Sequence, residues 1–236
     1  MSADEGMHDD LDDLLRSMPF ERGRPLSRLA TARDGRAVLL VRIELGVLQM
    51  ELEGRPDGLP SVLTRVVSVE TLAADDALAA AVRLELVQHQ QRAIALAAAA
   101  LPARALADWE RVVAGADLLV RAGGSQAEWA AGVGFSALVA RTRLVAAVAI
   151  SEGRPRDAAT AISDGLVALR ERAALAGLGD SFEDLGDVAA LRAWRASLVP
   201  SLPPAQRAEL EGRLRAAIAA ENYELAAILR DELRLL

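Results

Sequence analysis

From about Ser68 to Ser197 the chain is an Ala, Leu and Val sequence cut repeatedly by proline and glycine, and this punctuation constrains the fold more than any other feature. The breaks fall at Pro102, at Gly123-Gly124, at Gly153-Arg154-Pro155 and over Gly177–Gly179. Between them, the apolar spacing predicts helices over Leu72–Ala99, Ala103–Gly123, Ala127–Glu152, Pro155–Ala176 and Ser181–Ser197. In the fourth, Ala158, Ile162, Leu166 and Leu169 form one apolar stripe. Asp157 lies in its first turn and Arg170 and Arg172 in its last turns, as the helix dipole prefers. Hydrophobic residues make up 52% of the 236 but aromatics only 3%, so the core must be built from small aliphatic side chains. Such residues favour closely packed helices over thick sheets.

AISEGRPRDAATAISDGLVAL looks like half of a tetratricopeptide-type pair, and LPARALADWERVVAGADLLV repeats the idea more loosely roughly fifty residues earlier. Their separation exceeds the usual ~34-residue period and the full consensus is absent. The spacing therefore points to an α-bundle with solenoid-like pairing rather than a strict repeat array.

Before the helices the pattern is that of β structure. PLSRLATA and AVLLVRIEL flank Asp34-Gly35, a hairpin turn signal. Leu39, Val41, Ile43 and Leu45 share one face, with Arg42 and Glu44 on the other. After Gly46 the apolar set moves to Leu48, Met50 and Leu52, which predicts a bulge or bend at Gly46. A lone hairpin is marginal in water, so it must pack on the helical body or pair with a second copy. Homodimerisation follows as one expectation.

The fold class expected is mainly α (α+β): an N-terminal β-hairpin packed on an α-helical, TPR-like bundle, followed by a two-helix hairpin. The divisions are an acidic flexible arm (1–25), a β-hairpin segment (26–67), the α-helical body (68–198), a Pro-rich linker (199–206) and the terminal hairpin (207–236). The arm rests on polar, acidic composition ended by Pro19, Gly23 and Pro25, with a short helical stretch at Asp9–Ser17.

Composition excludes several chemistries. There is no cysteine, so disulfides, thiolate catalysis and cysteine-based zinc sites are ruled out. His8 and His89 are too few for a histidine-rich metal cluster. All 27 basic residues are arginine, which removes Schiff-base, P-loop-lysine and kinase-lysine chemistry. No cofactor, metal or catalytic residue is expected. A formal charge of −7 argues against direct nucleic-acid binding, which requires phosphate neutralisation. The longest apolar runs, near Ala93–Leu101 and Leu144–Ile150, fall short of the ~20 residues that span a bilayer. The acidic start is the opposite of a signal peptide's basic region. A cytoplasmic protein with no membrane partner is the expectation.

Other motifs read as structure. GRPDG (54–58) could bind an anion through Arg55 and its backbone amides, but a tight turn accounts for it better. AGVGFSA (131–137) has the letters of a dinucleotide fingerprint, yet no strand precedes it, so helix packing is the better reading. His89 sits among glutamines with no nucleophile signal, which suggests a solvated or hydrogen-bonded histidine. Trp109, Trp129 and Trp194 read as anchors of helix contacts.

The tail is the most specific stretch. Pro204 opens a helix in which Leu210, Leu214, Ala217 and Ile218 form an apolar face. The chain turns at Glu221-Asn222-Tyr223, and a second helix places Ala226, Leu229, Leu233 and Leu236 on one stripe. Ala226 and Ala227 allow close backbone approach, and Tyr223 is placed to cap the turn end of the small core. Two helices of this size bury little, so leftover apolar side chains suit a docking element.

This stretch resembles the UVR motif shared by the repair proteins UvrB and UvrC. The resemblance rests on Leu210, Leu214, Ala217, Ile218, Glu221, Tyr223, Glu224, Ala226, Ala227, Leu229, Arg230, Asp231, Glu232 and Leu233. Tyr223 stands where phenylalanine is commoner, and Gly212 interrupts the first helix. The resemblance implies a helical hairpin that binds another hairpin or a partner surface, in excision repair or protein quality control. Leu210, Leu214, Ile218, Tyr223, Glu224, Ala226, Ala227, Leu229, Arg230, Asp231 and Leu233 would then form the partner-binding surface. The helicase, nuclease and zinc-binding residues of the family's relatives are absent. RIELGVLQMELEGRPDG (42–58), a helical region and a terminal UVR motif together also look like a group of bacterial proteins of unassigned activity. A non-enzymatic interaction protein is therefore expected. The alternative is a small-molecule-binding or catalytic helical body, marked by a polar pocket with converging arginines and carboxylates.

Overall fold

The computed structural model describes residues 11–23, 26–175, 177–198 and 204–235. The protein is mainly α-helical with a small three-stranded antiparallel sheet. It divides into two compact units at Ala137/Leu138. That boundary falls inside a helix, so the body expected over 68–198 contributes to both units.

The first unit begins with helix α1 (Asp12–Ser17) and a sheet of β1 (Leu26–Thr31), β2 (Ala37–Ile43) and β3 (Gly46–Glu51), in the order β1-β2-β3. Gly35, at φ +86°, makes the first turn, and Arg36 clamps it through Asp34 Oδ2 at 2.6 Å. The bend expected at Gly46 is instead a full reversal. The strand ends at Ile43, Glu44 and Leu45 form the loop, and β3 runs back with Ile43 opposite Gly46. In this register Leu39 lies opposite Met50 and Val41 opposite Leu48. Odd positions of β2 thus share a face with even positions of β3, which is why the apolar parity changes at Gly46. Leu45, read as a strand residue, is exposed at the loop tip.

The flexible arm expected over 1–25 falls partly on residues 1–10, outside the described residues. Over 11–23 the chain is instead anchored at one point, Met18, with most of its neighbours exposed. Met18 is fully buried and, with Leu14, covers Val38 and Leu40 on one face of β2. Leu39 and Val41 are buried on the other face. Two covered faces explain why four consecutive β2 residues are out of water.

Next come α2 (Val69–Ala74), α3 (Asp76–Ala98) and α4 (Pro102–Ala122). The first helix expected, Leu72–Ala99, is broken at Asp75. That residue leaves helical geometry to cap α3, its Oδ1 accepting from Leu78 N–H at 2.9 Å. Helix α3 packs against β1, β2 and α4. Leu72, Val82, Leu86, Ala116 and Leu119 fill the helical core, with Val62 from the preceding loop.

Helix α5 (Ala127–Ser151) crosses the unit boundary and absorbs AGVGFSA, but Gly132 has no neighbour within 4 Å of where a Cβ would lie. The close packing expected of this motif comes instead from Gly134 and Ala137, which are buried. The segment Gly124–Ser151 is long and apolar enough to cross a membrane by length and composition, the one such helix among the described residues. This corrects the reading from uninterrupted apolar runs. Helical continuity, not run purity, sets that length. Its Ala137, Leu138, Val139, Ala146 and Ala149 are nonetheless buried inside the protein.

The second unit contains the rest of α5, then α6 (Pro155–Leu175), α7 (Gly186–Leu198), α8 (Pro204–Ala219) and α9 (Tyr223–Leu235). The α6 stripe Ala158, Ile162, Leu166 and Leu169 is buried. Gly165 lets α6 approach α5 closely: a Cβ there would lie 2.3 Å from Thr142 Oγ1.

Candidate functional site

Two regions contain the residues with functional potential, one in each unit. The first is the α8–α9 hairpin. Its turn is a helix C-cap followed at once by an N-cap. Asn222 N–H donates to Ala217 O at 2.9 Å, with Glu221 left-handed at φ 55°. The Asn222 Oδ1 then accepts from Leu225 N–H at 3.1 Å and starts α9.

Ala217, Ala226 and Leu229 form the core of this pair, with Leu210 and Leu214 packed against it. Ala227 and Leu233 are half-buried. Glu224, Arg230 and Asp231 are exposed, and the Arg230–Asp231 ion pair at 3.0 Å lies in solvent. Ile218 and Tyr223 are corrections. Ile218, expected inward, is 53% exposed, and Tyr223, expected to cap the core, is 69% exposed. Ala217 takes the inward position, and the next residue is rotated by about 100° away from the partner helix. Leu225 and Ile228 are also exposed and were not singled out in the sequence. Their i, i+3 spacing is the signal that they share a side of α9. Leu236 of the predicted stripe lies outside the described residues.

The second region is a buried polar cluster in the first unit. On α3, Glu85, Gln88, His89 and Arg92 recur at i, i+3, i+4 and i+7 and so form one polar stripe. It faces the chain after β3 rather than water. Glu85 accepts from Ser61 Oγ and Val62 N–H, both at 2.6 Å, and from Leu63 N–H at 3.2 Å. Arg92 forms a bidentate pair with Asp108 of α4 (Nε to Oδ2 and Nη2 to Oδ1, both 2.7 Å). Its Nη1 donates to Glu51 O at 2.7 Å, tying sheet to helix. Asp108 Oδ1 also accepts from Arg111 at 3.0 Å and lies 2.9 Å from His89 Nδ1. An ionised carboxylate only accepts, so Nδ1 carries the proton, and the Arg92 Nη2 contact to it is not a hydrogen bond.

Burial pushes the Asp108 carboxyl up, but hydrogen bonds from Arg92 and His89 and the charge of Arg92 outweigh it and hold it at about 2. His89 and Asp108 have the spacing of a base and its orienting acid. Both are buried, and a nearby hydroxyl, Ser61 Oγ, is committed to Glu85. The arrangement ties β3, the chain at 61–63 and α4 to α3.

GRPDG belongs to the same assembly. Glu51 N–H donates to Pro56 O, and Gly58 N–H to Arg55 O. Arg55 is turned inward onto Gln88 Oε1 (3.1 Å) and Asp57 (2.9 Å) rather than offered to an anion. Burial raises the Asp57 carboxyl, yet hydrogen bonds from Gln88 and Leu59 and the Arg55 charge lower it overall.

Beside the cluster lies an open groove of about 280 Å³, lined by Leu52, Glu53, Arg92, Leu96, Ala103, Arg104, Ala107, Asp108 and Arg111. Among the described residues, no group of three His, Asp or Glu side chains is placed to hold a metal ion. In comparisons with models of known families, with curated proteins and with solved structures, nothing matches this chain.

Proposed function

We propose that this is a non-enzymatic interaction protein whose α8–α9 hairpin docks a protein partner. The observation that carries this reading is the apolar surface the hairpin leaves in water: Ile218, Tyr223, Leu225 and Ile228 within eleven residues. Single exposed apolar residues are ordinary, but a group on so small an element favours an interaction site. Covering it gains about 25 cal/mol per Å² of apolar surface.

The UVR resemblance supports the same reading. It favours a partner that is itself a UVR-motif protein, or a repair or quality-control factor, in the cytoplasm. Packing of α3 on α4 and of α6 on α7 supports a TPR-like helical body as the scaffold that presents the hairpin.

The test compares the full chain with a chain lacking residues 204–236 and with a Tyr223→Ser, Ile228→Ser variant in affinity capture. Both changes are expected to abolish capture, with amide exchange of α3 to α7 unaltered. Equal capture by the substituted and original chains sinks the reading.

A further inference from the structure

The groove beside the buried cluster lies in the first unit, apart from the hairpin residues. One wall is the chain just after β3, with Leu52 and Glu53. The other is a face of α4 carrying Ala103, Arg104, Ala107, Asp108 and Arg111, which recur at three- and four-residue intervals. Leu96 and the Arg92–Asp108 pair form its floor. Ala103 and Ala107 are too short to fill the space between the walls, which is why the groove exists.

Three guanidiniums and two carboxylates line it, a surplus of one positive charge. The floor pair is neutral as a unit. Both Asp108 oxygens accept from neighbours, and Arg92, whose charge Asp108 matches, gives one N–H from each of its three nitrogens to Asp108 and Glu51 O. The surplus therefore resides on Arg104 and Arg111, whose side chains are about half exposed and whose Cα atoms are two helical turns apart, roughly 10 Å. Arg111 places one nitrogen on Asp108, and a guanidinium has about five N–H donors to give. Arg104 bonds Glu53 at 2.5 Å and Leu52 O at 3.5 Å. Glu53 is almost fully solvated, so another anion displaces it at little cost.

We propose that this groove binds a small organic anion. Its carboxylate or phosphate head sits between Arg104 and Arg111, and a short apolar body lies on Ala103 and Ala107. Glu53 is the chain's own stand-in for that head. The volume is at the lower end of ligand pockets, typically ~300–1,000 Å³, so the ligand has only a few carbons.

Calorimetric titration of the full chain with inorganic phosphate, hexanoate and hexanol tests this. Binding of phosphate or of hexanoate at millimolar concentration, with hexanol inert, supports the site, and the anion that binds identifies the head group. Arg104→Ala with Arg111→Ala is expected to weaken binding at least about tenfold. Glu53→Gln removes the competing carboxylate and is expected to tighten binding about threefold. That gain would not arise from a misfolded chain. Neither anion binding, hexanol binding as well as hexanoate, undiminished binding by the double variant, or weaker binding by Glu53→Gln overturns the proposal.

Discussion

Arg92 and Asp108 join α3 to α4 through two parallel hydrogen bonds of 2.7 Å, with both residues about 1% exposed. Removing one partner leaves the other charged and almost wholly buried at the floor of the groove. Asp108→Asn is therefore expected to destabilise the first unit by about 3 kcal/mol, read as amide exchange of α3 and α4. The same pair makes stability depend on pH. The Asp108 carboxyl is held at about 2 in the folded chain and sits near 3.8 otherwise. Its contribution is present above about pH 4 and is lost as pH falls toward about 2, because the unfolded chain takes up the proton first. The lowering corresponds to about 2 kcal/mol. The original chain should lose this much more stability across that window than Asp108→Asn, and parallel pH profiles would refute the assignment.

Two helical glycines should respond to alanine in opposite ways. At Gly165 a Cβ would meet Thr142 Oγ1 at 2.3 Å and Cγ2 at 2.4 Å. Gly165→Ala is expected to cost about 1–3 kcal/mol, and Thr142→Ala to relieve it. At Gly212 nothing lies within 4 Å, so Gly212→Ala should stabilise α8 by up to ~1 kcal/mol through helix propensity. Thermal denaturation separates the two, and matching signs would count against the packing of α5 on α6.

The hairpin turn has one strained residue and one cap. Glu221 sits left-handed at φ 55°, where glycine is at ease. Glu221→Gly should stabilise the hairpin by about 1 kcal/mol. Asn222→Ala removes the acceptor for Leu225 N–H and should cost about 1 kcal/mol. Hydrogen exchange over α8 and α9 is the measurement, and protection that moves the other way would overturn this turn geometry.

Most of the helical layout was legible because its causes are local. Pro102, Gly123, Gly153 and Pro155 end or start helices through backbone geometry that needs no distant partner. The stripe on α6 and the two-helix tail followed from period alone. Two errors came from pairs of elements. Glu44-Leu45 has no turn glycine of its own, so the reversal before Gly46 read as a bend. The Asp75 break is a capping event inside an otherwise continuous helical pattern. The polar cluster had a sequence signal in the spacing of Glu85, Gln88, His89 and Arg92, but its direction did not. A polar stripe on a helix normally faces water.

The residues alone thus determined most of the helical segments, and which side-chain chemistries the composition leaves out. Tertiary structure decided which faces are inside. Only it brings Asp108 from α4, Glu51 O from β3 and the amides of Val62 and Leu63 to one α3 stripe. Only it turns Ile218 and Tyr223 outward on the hairpin. The reason is physical: propensity and period act within one element, whereas burying a charge depends on partners supplied from far along the chain.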